Sequence, residues 1–188
     1  MVPVLLVAIG FGAGSIPFGF LLARRMGIDI QSHGSGNIGA TNVARVLGVV
    51  PGLIVLVLDA TKGALPVAIA LHVSGEPWIV VATGLAAIAG HCFSPFLGGK
   101  GGKGVATAFG VFLVLVPKLV LVAIAVFVIV LRLGRVPALG SLAGMAALTT
   151  LLVLRGDTPF ATAACITTLL LVYTHRTNLA KLWAGRRV

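Results

Sequence analysis

Residues 50 to 71 read VPGLIVLVLDATKGALPVAIAL, an apolar run interrupted by one aspartate and one lysine. About 20 apolar residues suffice for a helix to cross a bilayer. Backbone polar groups in hydrocarbon must also bond within their own segment, so the run reads as a transmembrane helix. Asp59 and Lys62 are costly in that setting, yet three residues apart on a helix they share a face and can pair. Two uses fit such a pair: packing helices together, or acting directly in a site.

The same reading extends outward from this run. Of the 188 residues, 59% are hydrophobic and 10% charged, against about 25% charged in soluble domains, and the mean hydropathy is +1.14. Further apolar runs lie at residues 3–23, 78–97, 105–116, 118–131, 137–154 and 159–173. The two runs on either side of Pro117 are short and could join as one helix kinked there. The count is therefore seven spans, or five if later runs also merge. No basic region precedes the first run, which is long enough to cross, so it reads as a retained span rather than a cleaved signal peptide. The expected fold is all-α, a polytopic membrane bundle of seven transmembrane helices forming one integral-membrane domain over residues 1–188.

Basic residues set the orientation. With the N-terminus outside and seven spans, the inner loops and the cytoplasmic C-terminus hold Arg24, Arg25, Arg45, Lys100, Lys103, Arg132, Arg135, Arg176, Lys181, Arg186 and Arg187, while the outer loops hold Lys118 and Arg155. This asymmetry follows the positive-inside rule, and merging across Pro117 would move Arg132 and Arg135 outside, which argues for seven. The net charge of +10 is thereby assigned to loop orientation and anionic lipid headgroups, not to nucleic acid. Cys92 and Cys165 lie in apolar surroundings without metal-ligand or CxxC spacing and read as small buried residues. No metal or cofactor is implied.

Polar chemistry gathers on the cytoplasmic side. After the first span comes GSGNIGATNVAR, residues 34 to 45, in which Gly34, Gly36 and Gly39 accompany Ser35, Asn37, Thr41 and Asn42. Such a loop can converge backbone N–H groups on an anion, with Arg45 as counter-charge, or can simply turn the chain. GGKGGKGVAT, residues 98 to 107, precedes the fourth span. Its glycines can let backbone approach a phosphate, with its lysines supplying charge and the following helix aiming its positive end at the anion, or the segment can be a flexible basic loop touching lipid headgroups. It is not a Walker A loop, because Lys103 is followed by Gly104 rather than Ser or Thr. His91, and His175 with Asn178 three residues on, complete the polar set; Ser141 reads more simply as a small helix-packing residue. Two anion loops on one face suggest two phosphates, on one substrate or on two.

GSIPFGFLLARRMGIDIQSHGSGNIGATNVARVLG, LDATKG, GHCFSPFLGGKGGKGVAT and YTHRTNLAKLWAG, in this order and spacing, resemble the bacterial acyl-phosphate-dependent glycerol-3-phosphate acyltransferases. The resemblance runs from Gly14 to Gly185. It implies an inner-membrane enzyme with its active site facing the cytoplasm, transferring a fatty acyl group from acyl phosphate to glycerol 3-phosphate to give lysophosphatidate and inorganic phosphate, the first step of bacterial phospholipid synthesis. By this likeness Ser35, Gly36, Asn37, Thr41, Asn42 and Arg45 contribute to the phosphate sites, with Gly39 in the same motif. Gly101, Gly102, Lys103, Gly104 and Thr107 hold phosphate. His175 and Asn178 fall on the glycerol-3-phosphate side, with Ser141 near them, and Asp59 and Lys62 match a DxxKG motif. The proline of GHCFSPF sits one place later than is common in the family, Gly99 stands where Phe is usual, and Ala138 replaces a serine.

An acyl phosphate is a mixed anhydride with a good leaving group, so no protein nucleophile is required and direct transfer is expected. Lys103, Ser35, Arg45, His175 and Asn178 are the expected catalytic set, with Asp59, Lys62 and His91 in support. Acyl phosphate, glycerol 3-phosphate and membrane lipids are the expected partners of a monomer. Two rival readings are a transporter for a phosphorylated metabolite and a non-catalytic bundle that binds anionic lipid. The short outer loops, poor in polar motifs, speak against transport.

Overall fold

A computed structural model describes residues 1–185, and among these the regular structure is entirely helical. Arg186 and Arg187, expected on the inner side, lie outside the described residues. The chain forms two compact units, Met1–Val114 and Leu115–Val188. Among the described residues, five helical segments are long and apolar enough to cross a membrane: Val2–Arg25, Val49–Val73, Pro77–Leu97, Pro117–Gly134 and Pro137–Arg155. Val105–Leu115 and Thr158–Thr174 are apolar but shorter.

In the first unit the opening span is broken. α1 (Val2–Ser15) ends at Ile16, whose φ of −62° and ψ of 117° are extended, and α2 (Phe18–Arg25) resumes after Pro17. Proline has no N–H and steers the residue before it out of the helical region, so the break is local and obligatory. A loop then leads to α3 (Ala40–Leu47), and Gly48, at a φ of +100°, admits the turn into α4 (Val49–Val73). α5 (Pro77–Cys92) returns, and α6 (Val105–Leu115) follows the glycine-lysine loop.

Small residues decide how closely these helices pack, as expected where no hydrophobic effect drives helices together in lipid. A side chain on Gly10 or Gly14 of α1 would strike the backbone of Thr83 or Ala87 of α5. The two contacts advance together along both helices, so α1 and α5 run parallel. Gly63 of α4 and Gly110 of α6 lie in the same manner against the backbones of Thr107 and Ala60.

The second unit holds α7 (Pro117–Gly134), α8 (Pro137–Arg155), α9 (Thr158–Thr174) and α10 (Arg176–Trp183). Pro117 does not kink a continuous helix. Val116 departs to φ −144°, ψ 60°, and Pro117 opens α7, where its missing N–H leaves no bond unmade. Gly140 and Gly144 of α8 seat against Phe127 and Ala123 of α7 in antiparallel order. Thr149 of α8 and Thr168 of α9 share a hydroxyl hydrogen bond of 2.8 Å. Cys92 is buried, but Cys165 lies on the outward face of α9, because periodicity along an apolar helix cannot separate core from lipid contact.

Because Gly14 faces backbone and Gly12 faces open space, Gly14→Leu is expected to destabilise the first unit by about 1–3 kcal/mol or more. Gly12→Leu should be neutral. Thermal unfolding in detergent checks this, and equal melting temperatures would contradict the packing described.

Candidate active site

The break in the first span creates the need that the buried charges meet. Across the break the regular helical ladder lapses: Ile16 O keeps one short-range backbone donor, the Phe18 N–H at 3.1 Å, and side-chain donors complete the bonding that a membrane interior requires. The hydroxyl of Ser94 donates to Ser15 O at 2.6 Å, and Lys62 Nζ donates to Ile16 O at 2.7 Å. Lys62 also pairs with Asp59 at 2.7 Å, both side chains 3% exposed, and lies 5.6 Å from the centre of the Phe18 ring. The spacing of three thus pairs the two charges as expected, and the pair tethers α4 to the break. Sequence reasoning missed Ser94, although Pro17 inside an apolar run signals carbonyls in want of a donor.

Asp59 has a second neighbour. His91 Nδ1 of α5 stands 3.7 Å from Asp59 Oδ1, longer than a hydrogen bond but close enough for electrostatic attraction. The other edge of the imidazole faces the glycine-lysine loop. A side chain on Gly102 would strike His91 Nε2, and one on Gly101 would strike the His91 carbonyl. The loop is tied down by Gly101 N–H donating to Cys92 O at 3.1 Å and Gly102 N–H donating to His91 O at 3.0 Å. These two glycines therefore let the loop approach α5 closely. Gly98, Gly99 and Gly104 have φ of +59°, +78° and +87°, and supply the turns. Lys100 is exposed and Lys103 half-buried. Thr107 is fully buried, with its hydroxyl unpartnered, against Gly63. It lies on the face of α6 turned toward α4, where it packs the two helices together.

The first loop is built around Asn42, which is 2% exposed. Its amide nitrogen donates to His33 O at 3.0 Å and Asn37 O at 2.9 Å, and its oxygen accepts the Ser35 N–H at 2.8 Å. Asn37 Oδ1 accepts the Gly39 N–H at 2.9 Å, and Gly36 N–H donates to His33 O at 3.0 Å. Three N–H groups that the glycine pattern offered to an anion are thus committed within the loop. What the loop presents outward is side chains: Ser35, Thr41 and Arg45 are exposed. The loop is anchored by Ile30 and Ile38, which join Ala23, Val43 and Val55 in a buried cluster, and Leu97 packs on the same cluster. Leu97 directly precedes the glycine-lysine loop, so one apolar cluster underlies both glycine-rich segments.

In the second unit His175 lies at the junction of α9 and α10 and is 2% exposed. Its Nδ1 donates to Leu171 O at 2.8 Å. A carbonyl can only accept, so this bond places the proton on Nδ1 and leaves Nε2 as the acceptor nitrogen of the neutral ring. Asn178 is half-buried in the first turn of α10. Ser141 donates to Pro137 O at 2.9 Å within α8, the back-bonding of a helix-packing serine.

The comparisons with known proteins agree with this architecture. The glycerol-3-phosphate acyltransferase family matches residues 4–185. The glycerol-3-phosphate acyltransferase of Myxococcus xanthus is 49% identical over 180 residues, 94% of each chain. That of Geobacter sulfurreducens is 43% identical over 183 residues, 96% of this chain and 94% of its own. Crystal structures of PlsY (YgiH), an integral membrane glycerol 3-phosphate acyltransferase, match with TM-scores of 0.96 in the glycerol 3-phosphate form and 0.94 in the lysophosphatidic acid form. Identity is 36%, over 100% of this chain and 95% of PlsY. Fold and loops define a multi-pass membrane acyltransferase. The chain belongs to the glycerol-3-phosphate acyltransferase family, which sets aside the transporter and lipid-binding readings.

Asn42→Asp keeps the acceptor for Ser35 and loses both donors. At about 1 kcal/mol for each lost bond, kcat/KM for glycerol 3-phosphate should fall roughly 30-fold. A wild-type value in a steady-state assay would show that the loop does not depend on this amide.

Proposed function

We propose that the enzyme transfers a fatty acyl group from acyl phosphate to glycerol 3-phosphate, releasing lysophosphatidate and inorganic phosphate. The observation that carries this reading is the apolar cluster shared by the two glycine-rich segments, one presenting Ser35 and Arg45 and the other Lys103. Two cationic loops set on one base suit a reaction in which both substrates bear phosphate. The solved relatives with glycerol 3-phosphate and lysophosphatidic acid support the acceptor and the product class.

In the proposed reaction the glycerol hydroxyl oxygen attacks the acyl carbonyl carbon, and the bond from that carbon to the phosphate oxygen breaks. The hydroxyl proton passes to an oxygen of the departing phosphate, so catalysis is substrate-assisted and no acyl-enzyme forms. Lys103 stabilises the charge growing on that phosphate, a type of contribution worth on the order of 3 kcal/mol for a key donor. Arg45, Ser35, His175 and Asn178 take glycerol 3-phosphate. Holding both substrates in attack geometry supplies much of the remaining rate.

The proposed setting is the bacterial inner membrane, with a monomer of one catalytic domain crossing seven times, the N-terminus outside and the site facing the cytoplasm. The distribution of basic loops supports this orientation. At 11 residues α6 rises only about 17 Å, so its crossing would be completed by loop backbone enclosed in protein.

Purified enzyme supplied with acyl phosphate and glycerol 3-phosphate should release phosphate and lysophosphatidate in equal amounts, and Lys103→Ala should lower kcat by about 100-fold. No product from the wild type, or an unchanged rate in the variant, overturns the reading. For the proton, His175→Ala should retain measurable kcat with little change in its pH dependence. A loss of several orders of magnitude at every pH, with substrate binding intact, would make His175 the base.

A further inference from the structure

We propose that His91 is a positioning residue for the glycine-lysine loop: its imidazole, set by Asp59, is the surface against which Gly102 and therefore Lys103 are placed. The proposal rests on the reading of Lys103 as the group that stabilises the leaving phosphate. His91 is buried on α5, one residue before the helix ends. One edge of its ring faces Asp59 at 3.7 Å, and Asp59 is held by Lys62 at 2.7 Å. The opposite edge meets the loop. For a side chain at Gly102 the three nearest atoms are all ring atoms of His91, Nε2, Cε1 and Cδ2. Gly102 does not have a positive φ, so alanine there is conformationally acceptable and the imidazole is the obstacle.

The same residue also holds the loop through its backbone, since Gly102 N–H donates to His91 O at 3.0 Å, and the neighbouring Gly101 N–H donates to Cys92 O at 3.1 Å. Ring and carbonyl of one residue thus fix the level and the lateral position of the segment entering Lys103. Lys62 in turn bonds Ile16 O. The chain of contacts joins the broken first span, the charge pair, the imidazole and the loop. A lysine whose effect is exerted on charge developing in the transition state is sensitive to placement, since an error near 1 Å can cost about 100-fold.

A double-mutant cycle tests the coupling. Gly102→Ala should lower kcat about 10- to 100-fold, with KM for glycerol 3-phosphate little changed. In a His91→Ala background, where the ring no longer obstructs, the same substitution should cost at least several-fold less. His91→Asn, which keeps a polar group near Asp59 but withdraws from Gly102, should lower kcat while leaving KM and the melting temperature near wild type. Tryptic cleavage after Lys100 and Lys103 in the folded protein reads the hold on the loop independently of chemistry, and should speed up in His91→Asn. Additive effects of the two alanine substitutions, or wild-type kcat and cleavage in His91→Asn, overturn the proposal. An active Lys103→Ala enzyme alongside coupled cleavage rates would instead refute the role of the lysine while leaving the placement by His91 intact.

Discussion

The ammonium of Lys62 does two things at once: it neutralises Asp59 and it bonds the Ile16 carbonyl beside Pro17, which also accepts the Phe18 N–H at 3.1 Å. A charge in a membrane interior needs a partner, and a carbonyl at a helix break is bonded more strongly by a charged second donor. Together they lock α4 to the break in the first span, and Ser94, just past the end of α5, bonds the adjacent Ser15 carbonyl. The break lets α2 leave the line of α1 and lead to the Asn42-centred loop. The pair also reaches His91, on which the glycine-lysine loop rests. Both glycine-rich segments therefore depend on one polar knot enclosed by apolar helices.

Much of this was legible in the sequence. Apolar runs located the helices because the bilayer fixes their minimum length, and Asp59 and Lys62 paired because helical geometry places residues three apart on one face. Proline proved ambiguous. At Pro117 the sequence allowed a kink, whereas the chain starts a new helix, and α6 is shorter than a full crossing. Composition alone cannot tell a proline inside a helix from one at its first position. Pro66, which does lie inside α4, shows the other outcome.

The site was legible by residue type more than by role. The glycine pattern points to phosphate, and it does not reveal that Gly101 and Gly102 also serve the close approach to α5. Asn42 was expected to face substrate and instead holds the loop that presents Ser35. In both cases the motif marks a shape, and the shape is set by contacts with residues that the motif does not contain. His91 belonged to the supporting set without a stated task. Its task is visible only once the fold brings residues 59, 91 and 102 together.

The charge pair of Asp59 and Lys62 thus governs both the break and the lysine loop. Hydrogen exchange read by mass spectrometry on Asp59→Asn, which removes the charge with little change in volume, tests it most directly. The account predicts faster exchange in the segment around Ile16 to Phe18 and, in the same variant, at Gly101 and Gly102, with the middle of α8 unchanged. Wild-type exchange at the glycines, or acceleration spread evenly over all helices, would contradict it.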